Sequence, residues 1–190
     1  MPGSCSRCHA AGTRLTLAGP GETHTNLAGM SCESGIFNAC EEALPGLVRN
    51  VHAHTAGVGK FLAVLQLVKK NAADDGNARQ AALIALAVYR ELKNVILVDD
   101  DVDIFDTDDV LWAMQTRYQG NRDTVFVPDM IGHVLDPSQT PAYDPNLPAK
   151  GTACKTIFDW TVPGARKSRF VRARFLDVDS GAGLWAPDLS

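Results

Sequence analysis

Seven carboxylates lie within eleven residues between Asp99 and Asp109. They directly follow the β-branched run Asn94–Val98, which predicts a buried strand, and ligands of open α/β sheets bind at the carboxyl ends of such strands. Because calcium and magnesium prefer oxygen ligands, a metal site is one hypothesis. The calcium-loop pattern requires a glycine at its sixth position and a glutamate at its twelfth, and neither is present when the loop starts at Asp99 or Asp101. We therefore favour an interpretation in which these side chains cap the following helix, bind turn amides and stay solvated.

A second pattern of reactive side chains lies near the start of the chain. The segment Cys5–His9 reads Cys-Ser-Arg-Cys-His, the pattern in which two thiols and a histidine attach c-type haem. That attachment takes place outside the cytoplasm, and no export signal precedes the motif, so we interpret the match as a coincidence. A zinc site built from Cys5, Cys8, His9 and His24 is formally possible, but its histidine pair lacks a recognised spacing.

Other polar groups also have two interpretations each. His52 and His54 could act as general bases, although alternation along a strand and its turn explains them, and we favour that structural interpretation. The stretch Gly57–Lys60 is too short for a phosphate-binding loop and predicts an ordinary connection. The basic stretch Arg166–Arg174 could meet a phosphate, an acidic substrate or a neighbouring subunit, and a solvated basic face explains it equally well.

Composition limits the class of protein. The chain has 190 residues, 45% of them hydrophobic and 21% charged, which predicts one folded domain with room for a fragment of another. Its net charge of −4 argues against a general nucleic-acid-binding protein, and no nucleic-acid partner is expected. The longest apolar run, Phe61–Val68, is far shorter than the roughly 20 residues that cross a bilayer, so no membrane span is expected. Five cysteines without the density of a disulfide framework favour a reducing compartment, and we predict a cytoplasmic protein.

Hydrophobic periodicity predicts the helices and strands that would position these groups. Helices are expected from Ser31 to the stop at Pro45 and Gly46, over Ala78–Leu92, and from Thr107 to Tyr118. Strands are expected over Phe61–Val68, over Asn94–Val98, and over Thr124–Val127 with its end at Pro128. The first 28 residues and the proline-rich stretch after Pro128 predict loops. This order predicts a layered α/β domain with right-handed crossovers: a mixed or mostly parallel sheet flanked by helices, with a loop-rich C-terminal tail.

Three blocks of sequence, in order along the chain, together carry a family resemblance. They are Gly19–Gly29 (GPGETHTNLAG), then Asn94–Asp106 with Asp109–Arg117 (NVILVDDDVDIFD and DVLWAMQTR), and finally Lys155–Thr161 (KTIFDWT). These blocks resemble three segments of the UbiD family of reversible decarboxylases. The first resembles the segment that leaves the family's central barrel, and the second resembles its Asp-rich turn with the helix that follows. The third resembles a Lys, Asp and Thr signature near the end of the family's sequence. The resemblance covers roughly residues 14 to 175 and concerns only the carboxyl-terminal part of that family.

The resemblance implies a decarboxylation reaction and its cofactors. Its substrate would be an aromatic or α,β-unsaturated carboxylic acid, with a phenolic, hydroxybenzoate-like acid as the leading class. Prenylated FMN would serve as the electron sink, accompanied by a divalent metal such as manganese. The family's catalytic residues and its cofactor and metal ligands lie mostly in the preceding domains, so the resemblance brings no catalytic residue into this chain, and its cofactor-binding residues are unknown. It does imply a wall of the substrate pocket at Leu27, His133, Val134 and Leu135.

The same resemblance implies how the chain is organised and what it binds. We expect residues 1–29 to be a disordered start with a stub of the preceding split barrel, residues 30–175 to be a UbiD-like C-terminal α/β domain, and residues 176–190 to be a tail. The family uses this domain for subunit contacts, which implies a homo-oligomer or a complementary cofactor-domain subunit. The chain is therefore predicted to be a carboxy-lyase fragment that is inactive alone. The alternative is a non-catalytic subunit or interaction module of a decarboxylase complex.

Overall fold

The structure, a computed structural model, describes residues 9–10, 13–14, 21–133, 136, 138 and 152–173, with side chains described from residue 25 onward. Its helices are α1 (Gly21–Ala43), α2 (Asp74–Val88), α3 (Thr107–Arg117) and the short α4 (Gly120–Asp123). Its strands are β1 (His9–Ala10), β2 (Thr13–Arg14), β3 (Val48–Ala53), β4 (Leu62–Leu67), β5 (Asn94–Asp99), β6 (Thr124–Ile131) and β7 (Thr152–Trp160). Within these ranges, none of the helices combines the length and the apolar character that a bilayer crossing requires.

Five strands form one mixed sheet in the order β3-β4-β5-β7-β6. The three central strands, β4, β5 and β7, run parallel to one another, whereas β3 and β6 pair antiparallel at the two edges. The short strands β1 and β2 form a separate antiparallel pair. The predicted layered α/β fold with a mixed sheet and flanking helices is therefore confirmed.

Both faces of the sheet are covered, and strand β5 shows how. Its Val95 and Leu97 belong to the core shared with α1 and α2, whereas Ile96 and Val98 belong to the core shared with α3. Because successive side chains of a strand point to opposite faces, a strand buried on both faces needs an unbroken apolar run. This explains why the strands β4 and β5 could be predicted from unbroken runs of apolar residues and not from an alternation of apolar and polar residues.

The helices differ from the sequence prediction mainly at their ends. Helix α1 begins at Gly21, ten residues before the predicted cap, and the hydroxyl of Ser31 donates to the Leu27 carbonyl inside the helix. The prediction that Ser31 caps the helix, with a loop over residues 21–28, was wrong because tertiary packing overrides the weak helix propensity of this Gly- and Thr-rich segment. Helix α2 likewise starts at Asp74 instead of Ala78 and ends at Val88.

The second half of the sheet departs further from the prediction. Strand β6 continues through Pro128 to Ile131, with a register irregularity between Val127 and Met130. A proline is tolerated there because β6 is an edge strand, so the missing N–H breaks no ladder on a second side. Strand β7 was not predicted at all, although it lies between β5 and β6 in the sheet. Its sequence interrupts apolar residues with Lys155 and Asp159, both of which are nevertheless buried.

Candidate functional site

Several separate segments meet at the edge of the sheet where the parallel strands begin. Strands β4, β5 and β7 start at this edge, and the antiparallel strands β3 and β6 end there. The residues just before β4 and β5 and those just after β6 are therefore neighbours in space, although they are far apart in sequence. We call this the amino edge, and the opposite end of the parallel strands the carboxyl edge.

A charged triad forms at the amino edge around Glu91. One carboxylate oxygen of Glu91 lies 3.2 Å from Nζ of Lys60, and the other lies 3.4 Å from Nε2 of His133. The His133 ring also contacts the Phe61 ring edge to face, with centroids 5.5 Å apart. The side chains of Lys60 and His133 are each 18% exposed and that of Glu91 is 35% exposed, so the triad reaches solvent. Such an arrangement can hold an anionic or hydroxylated ligand and exchange a proton with it.

Backbone hydrogen bonds fix the loop that carries Glu91. The N–H groups of Lys93 and Asn94 both donate to the Phe61 carbonyl, at 2.9 and 2.8 Å. The carbonyl of Lys93 accepts in turn from Thr156 of β7 at 2.9 Å. Because these bonds continue the parallel ladder past its ends, the loop is tied to the strands on both sides of β5.

A close approach brings the amino-terminal half of α1 to the same edge. Gly59 has φ +66°, and a Cβ placed on it would lie 2.4 Å from the carbonyl oxygen of Thr25. Only glycine fits this position, because any side chain would collide with the helix backbone. Helix α1 therefore packs directly on the turn that precedes Lys60, and Leu27 on that helix has a side chain that is 62% exposed.

The structure describes two of the four residues expected in the pocket wall. Leu27 and His133 lie on α1 and after β6, two elements that both reach the amino edge. Val134 and Leu135 lie outside the described residues. The sequence reasoning missed Lys60 and Glu91, because nothing in the spacing of residues 60, 91 and 133 reveals that the sheet order brings them together.

The charge of Glu91 also acts on the buried Cys32 thiol and on the half-buried Tyr89 hydroxyl behind the triad. Burial raises the pKa of the Cys32 thiol to about 12, with smaller contributions from the charges of Glu33 and Glu91. Burial likewise raises the pKa of Tyr89 to about 12, again assisted by Glu91 and by Cys32. The Cys32 thiol on α1 and the Tyr89 hydroxyl just after α2 therefore stay protonated near neutral pH, and we call these two groups the protonated layer.

Thiol labelling should reveal this protonated layer directly. We expect iodoacetamide at pH 8 to modify Cys154, which is exposed, much faster than Cys32 or Cys40 in the folded chain. Only the thiolate reacts, and pKa values of about 12 for Cys32 and about 11 for Cys40 leave very little thiolate at pH 8. Peptide mapping by mass spectrometry measures the three rates, with urea-unfolded chain as the control in which the rates converge. Equal labelling of Cys32 and Cys154 in folded protein would contradict the burial of this layer.

At the carboxyl edge, the acidic run is held by cations. Arg117 at the end of α3 donates to Asp99 at 2.9 Å and to both oxygens of Asp101, at 2.9 and 2.6 Å. The Nζ of Lys69 lies 3.7 Å from Asp99, and Lys167 pairs with Asp100 at 2.6 Å. The carboxylates of this run are therefore largely occupied by arginine and lysine partners.

Two features of this network bear on the sequence hypotheses. The side chains of Asp103 and Asp106 accept from turn amides, and Asp106 caps α3, as the favoured interpretation expects. The expected solvation was wrong for Asp99 and Asp109, which are buried. In the part of the chain that the structure describes, no three His, Cys, Asp or Glu side chains come together in a way that could hold a metal.

Burial and ion pairing shift the carboxylates in opposite directions. Burial raises the pKa of Asp99, against the lowering effects of the Val162 amide, Lys69 and Arg117. Burial also acts to raise the pKa of Asp101, but hydrogen bonds and charge from Arg117 outweigh it, so that pKa is lowered. The Val162 amide, Lys69 and Arg117 together therefore favour the charged form of Asp99, and Arg117 favours that of Asp101, which points to a structural role for the network.

The two histidines near β3 have partners that explain them without catalysis. The Nδ1 of His54 accepts from the Ala56 amide at 3.0 Å, so its proton lies on Nε2, which contacts the hydroxyl of Thr107 at 2.9 Å. Burial, with a smaller contribution from His52, lowers the pKa of His54. The Nδ1 of His52 lies 3.2 Å from Glu33. These contacts link β3 to α1 and α3 and support the structural interpretation.

The remaining motifs are mostly outside the described residues. The haem-like pattern over Cys5–His9 falls there except for the backbone of His9, and so do the thiols of the hypothetical zinc site. The stretch Gly57–Lys60 forms the end of a 3₁₀ turn and the connection into β4, as predicted. Of the basic stretch, Lys167 and Arg172 pair with Asp100 and Asp109 of the acidic run.

The sequence of this chain is similar to a known family of carboxy-lyases. Residues 25–159 match the family model described as the 3-octaprenyl-4-hydroxybenzoate carboxy-lyase C-terminal domain, UbiD_C. The chain is 45% identical over 164 residues to the gallate decarboxylase of Lactiplantibacillus plantarum, covering 86% of this chain and 34% of that protein. It therefore spans about a third of the length of this relative.

Solved structures agree with the sequence comparison. The apo 3,4-dihydroxybenzoic acid decarboxylase of Enterobacter cloacae superimposes with a TM-score of 0.77 at 60% identity, over 86% of this chain and 34% of that one. The UbiD-class enzyme HmfF from Pelotomaculum thermopropionicum, in complex with FMN, gives a TM-score of 0.70 at 32% identity, over 82% of this chain and 32% of that one.

Proposed function

Because this chain belongs to the UbiD family of carboxy-lyases, we propose that it is the carboxyl-terminal domain of a decarboxylase acting on an aromatic, phenolic acid. The chain matches only about a third of its decarboxylase relatives, so the activity requires the remaining two-thirds of such an enzyme. In this proposal the chain alone neither decarboxylates nor completes the pocket. Its contribution is one wall of the substrate pocket.

The observation that carries the proposal is the triad of Lys60, Glu91 and His133. His133 is one of the residues that the family resemblance places in the pocket wall, and the structure surrounds it with charged and aromatic side chains at a solvent-accessible edge. A phenolic hydroxyl both donates and accepts hydrogen bonds, which matches an ammonium, a carboxylate and an imidazole held together. Phe61 and Leu27 would supply apolar surface for the ring of the acid.

Prenylated FMN is the cofactor proposed for the complete enzyme. When bound, it supplies the electron sink that stabilises the carbanion-like state left by loss of carbon dioxide. Two HmfF structures among the relatives contain FMN and prFMN. A divalent metal such as manganese is proposed to accompany prenylated FMN, with ligands in the preceding domains, as the family resemblance implies. The residues of this chain would act on the substrate by binding and orienting it.

A non-catalytic interaction module is the second candidate function. Helix α1 exposes Leu27 and Met30, whose side chains are 62% and 65% exposed near the amino edge. The two side chains are one helical turn apart, and contiguous exposed apolar surface can mark a protein–protein interaction site. Among the similar solved structures, the vanillic acid decarboxylase of Sedimentibacter hydroxybenzoicus is described as ShVdcCD with a truncated ShVdcD. Size-exclusion chromatography with and without the complementary part of a relative would reveal such an interaction.

A hybrid enzyme tests the catalytic proposal. The matching C-terminal third of the Enterobacter cloacae decarboxylase is replaced by residues 25–173 of this chain, and the hybrid is loaded with prenylated FMN. We expect the hybrid to release carbon dioxide from 3,4-dihydroxybenzoate or gallate, and we expect none from this chain alone with the same cofactor. The native enzyme is the positive control. A folded, cofactor-loaded hybrid without turnover would contradict the proposed function, and turnover by the isolated chain would contradict the dependence on a second part.

A further inference from the structure

Lys155 is the largest fully buried side chain of the described residues, although it belongs to a central strand of the sheet. It is only 2% exposed and lies near the start of β7. Burying an ammonium is costly unless it is hydrogen-bonded, and an apolar side chain would fill the same space without that cost. The burial of this lysine must therefore be explained by the interactions that its Nζ makes.

The Nζ of Lys155 donates to the carbonyl oxygen of Arg90 at 2.8 Å. Arg90 directly precedes Glu91, the residue that joins Lys60 and His133. Burial lowers the pKa of Lys155, and the charge of Arg90 adds to that effect, which agrees with an amine used as a hydrogen-bond donor and not as half of an ion pair.

A second bond from the same strand ties down the other side of Glu91. The amide of Thr156, next to Lys155, donates to the Lys93 carbonyl at 2.9 Å. Strand β7 thus contacts the carbonyls on both sides of Glu91, one through a side chain and one through the backbone. Lys155, Glu91 and His133 also line one small cavity behind the triad.

We propose that Lys155 is a positioning residue that holds the Arg90 carbonyl so that the Glu91 carboxylate can reach Lys60 and His133 together. It acts through Glu91 and does not contact the ligand. The structural part of this proposal stands on the geometry of the chain, whereas its effect on turnover rests on the proposed function. The two parts are therefore tested by separate measurements.

The first measurement uses this chain alone and amide hydrogen exchange. The informative amides are those of Leu92 and Lys93, which donate to the Tyr89 and Phe61 carbonyls beside Glu91. We expect Lys155→Met, which keeps the length and loses the donor, to speed their exchange roughly tenfold. Lys155→Gln retains an N–H donor and should change the rates less than threefold, and Lys70→Met, at an exposed lysine, should leave them unchanged.

Comparison of K155M with K155Q separates the effect of the Lys155 hydrogen bond on amide exchange from the effects of its charge and packing. Unchanged exchange in K155M, or equally fast exchange in K155M and K155Q, overturns the proposal. If K155M does not fold, K155Q decides by itself, since slow exchange of Leu92 and Lys93 supports the proposal and fast exchange overturns it.

The second measurement places the same variants in the hybrid decarboxylase. A loosened Glu91 should weaken substrate orientation, so K155M is expected to raise KM at least fivefold while kcat changes less than twofold, and K155Q should restore KM. Equal losses in kcat for K155M and K155Q would overturn a positioning role in turnover. An inactive parent hybrid together with the expected exchange pattern would instead refute the proposed function and leave the structural role of Lys155 standing.

Discussion

Replacing Arg117 with methionine is expected to lower the free energy of unfolding by about 3 kcal/mol or more. The side chains of Arg117 and Asp99 are 1% and 2% exposed, so the variant leaves a buried carboxylate without its 2.9 Å partner. Asp101 loses both of its hydrogen bonds to the guanidinium in the same step. Methionine fills part of the volume but cannot donate. Urea unfolding followed by circular dichroism measures the change.

The matched control for Arg117 is Lys167→Met in the same network. Lys167 pairs with Asp100, and both side chains are about one-third exposed, so the loss of this pair should cost less than about 1 kcal/mol. Both substitutions remove one positive charge next to the acidic run. A difference between their effects on the free energy of unfolding therefore reports the burial of the ion pair and not the change in net charge. Equal destabilisation by R117M and K167M would contradict the expectation that the buried Arg117 contributes more stability than the partly exposed Lys167. High salt should reduce the K167M effect more than the R117M effect.

The importance of Arg117 shows what the sequence could and could not reveal at the carboxyl edge. The run after β5 was recognisable as a cluster of carboxylates at a strand end, and its helix cap and turn amides followed from local spacing. Its cations come from the end of α3, from the second residue after β4 and from the segment after β7. Local spacing carries no information on such partners, which is why the solvated state expected for Asp99 was wrong.

Strand prediction succeeded or failed for a related reason. Strands β4 and β5 are apolar on both faces, and their burial is visible in the sequence as unbroken hydrophobic runs. Strand β7 occupies an equally central place, but its apolar run is broken by the buried Lys155, which bonds to the Arg90 carbonyl, and by the buried Asp159, which accepts from Arg79. Buried polar residues that are satisfied by distant groups look like surface residues in a sequence.

The proposed site lies at the edge opposite to the one that the acidic run suggested. The rule that ligands bind at the carboxyl ends of parallel strands directed attention to Asp99, whereas the triad and the described residues of the expected pocket wall lie on elements that reach the amino edge. Of the triad, the family resemblance supplied only His133. The other two members could have been sought as charged residues just before β4 and β5, since parallel neighbouring strands begin at the same edge of a sheet.

Glu91→Gln is expected to have the largest effect on activity. Glutamine keeps the size of the side chain but removes the carboxylate charge that lies 3.2 Å from Lys60 and 3.4 Å from His133. In the proposed site this carboxylate would also accept from the phenolic hydroxyl of the substrate, and a hydrogen bond to a charged group contributes about 1.5 to 3 kcal/mol. Because the triad is partly exposed, we expect kcat/KM of the hybrid enzyme to fall between about tenfold and 100-fold. Glu42→Gln, at an exposed position of α1, makes the same change of charge and should leave kcat/KM unaltered.

A spectroscopic measurement on this chain alone tests the same substitution independently of turnover. The charge of Glu91 is one of the causes that raise the pKa of Tyr89 to about 12, so E91Q should lower that pKa, whereas E42Q should not. Titration of tyrosinate absorbance measures the shift. An unchanged Tyr89 titration in E91Q would contradict an effect of the Glu91 charge on the protonated layer. Full activity of the E91Q hybrid would contradict a role of the triad in the substrate pocket. If E91Q changed neither the Tyr89 titration nor the activity of the hybrid, Glu91 would form only a surface ion pair. Its charge would then affect neither the neighbouring Tyr89 nor the substrate.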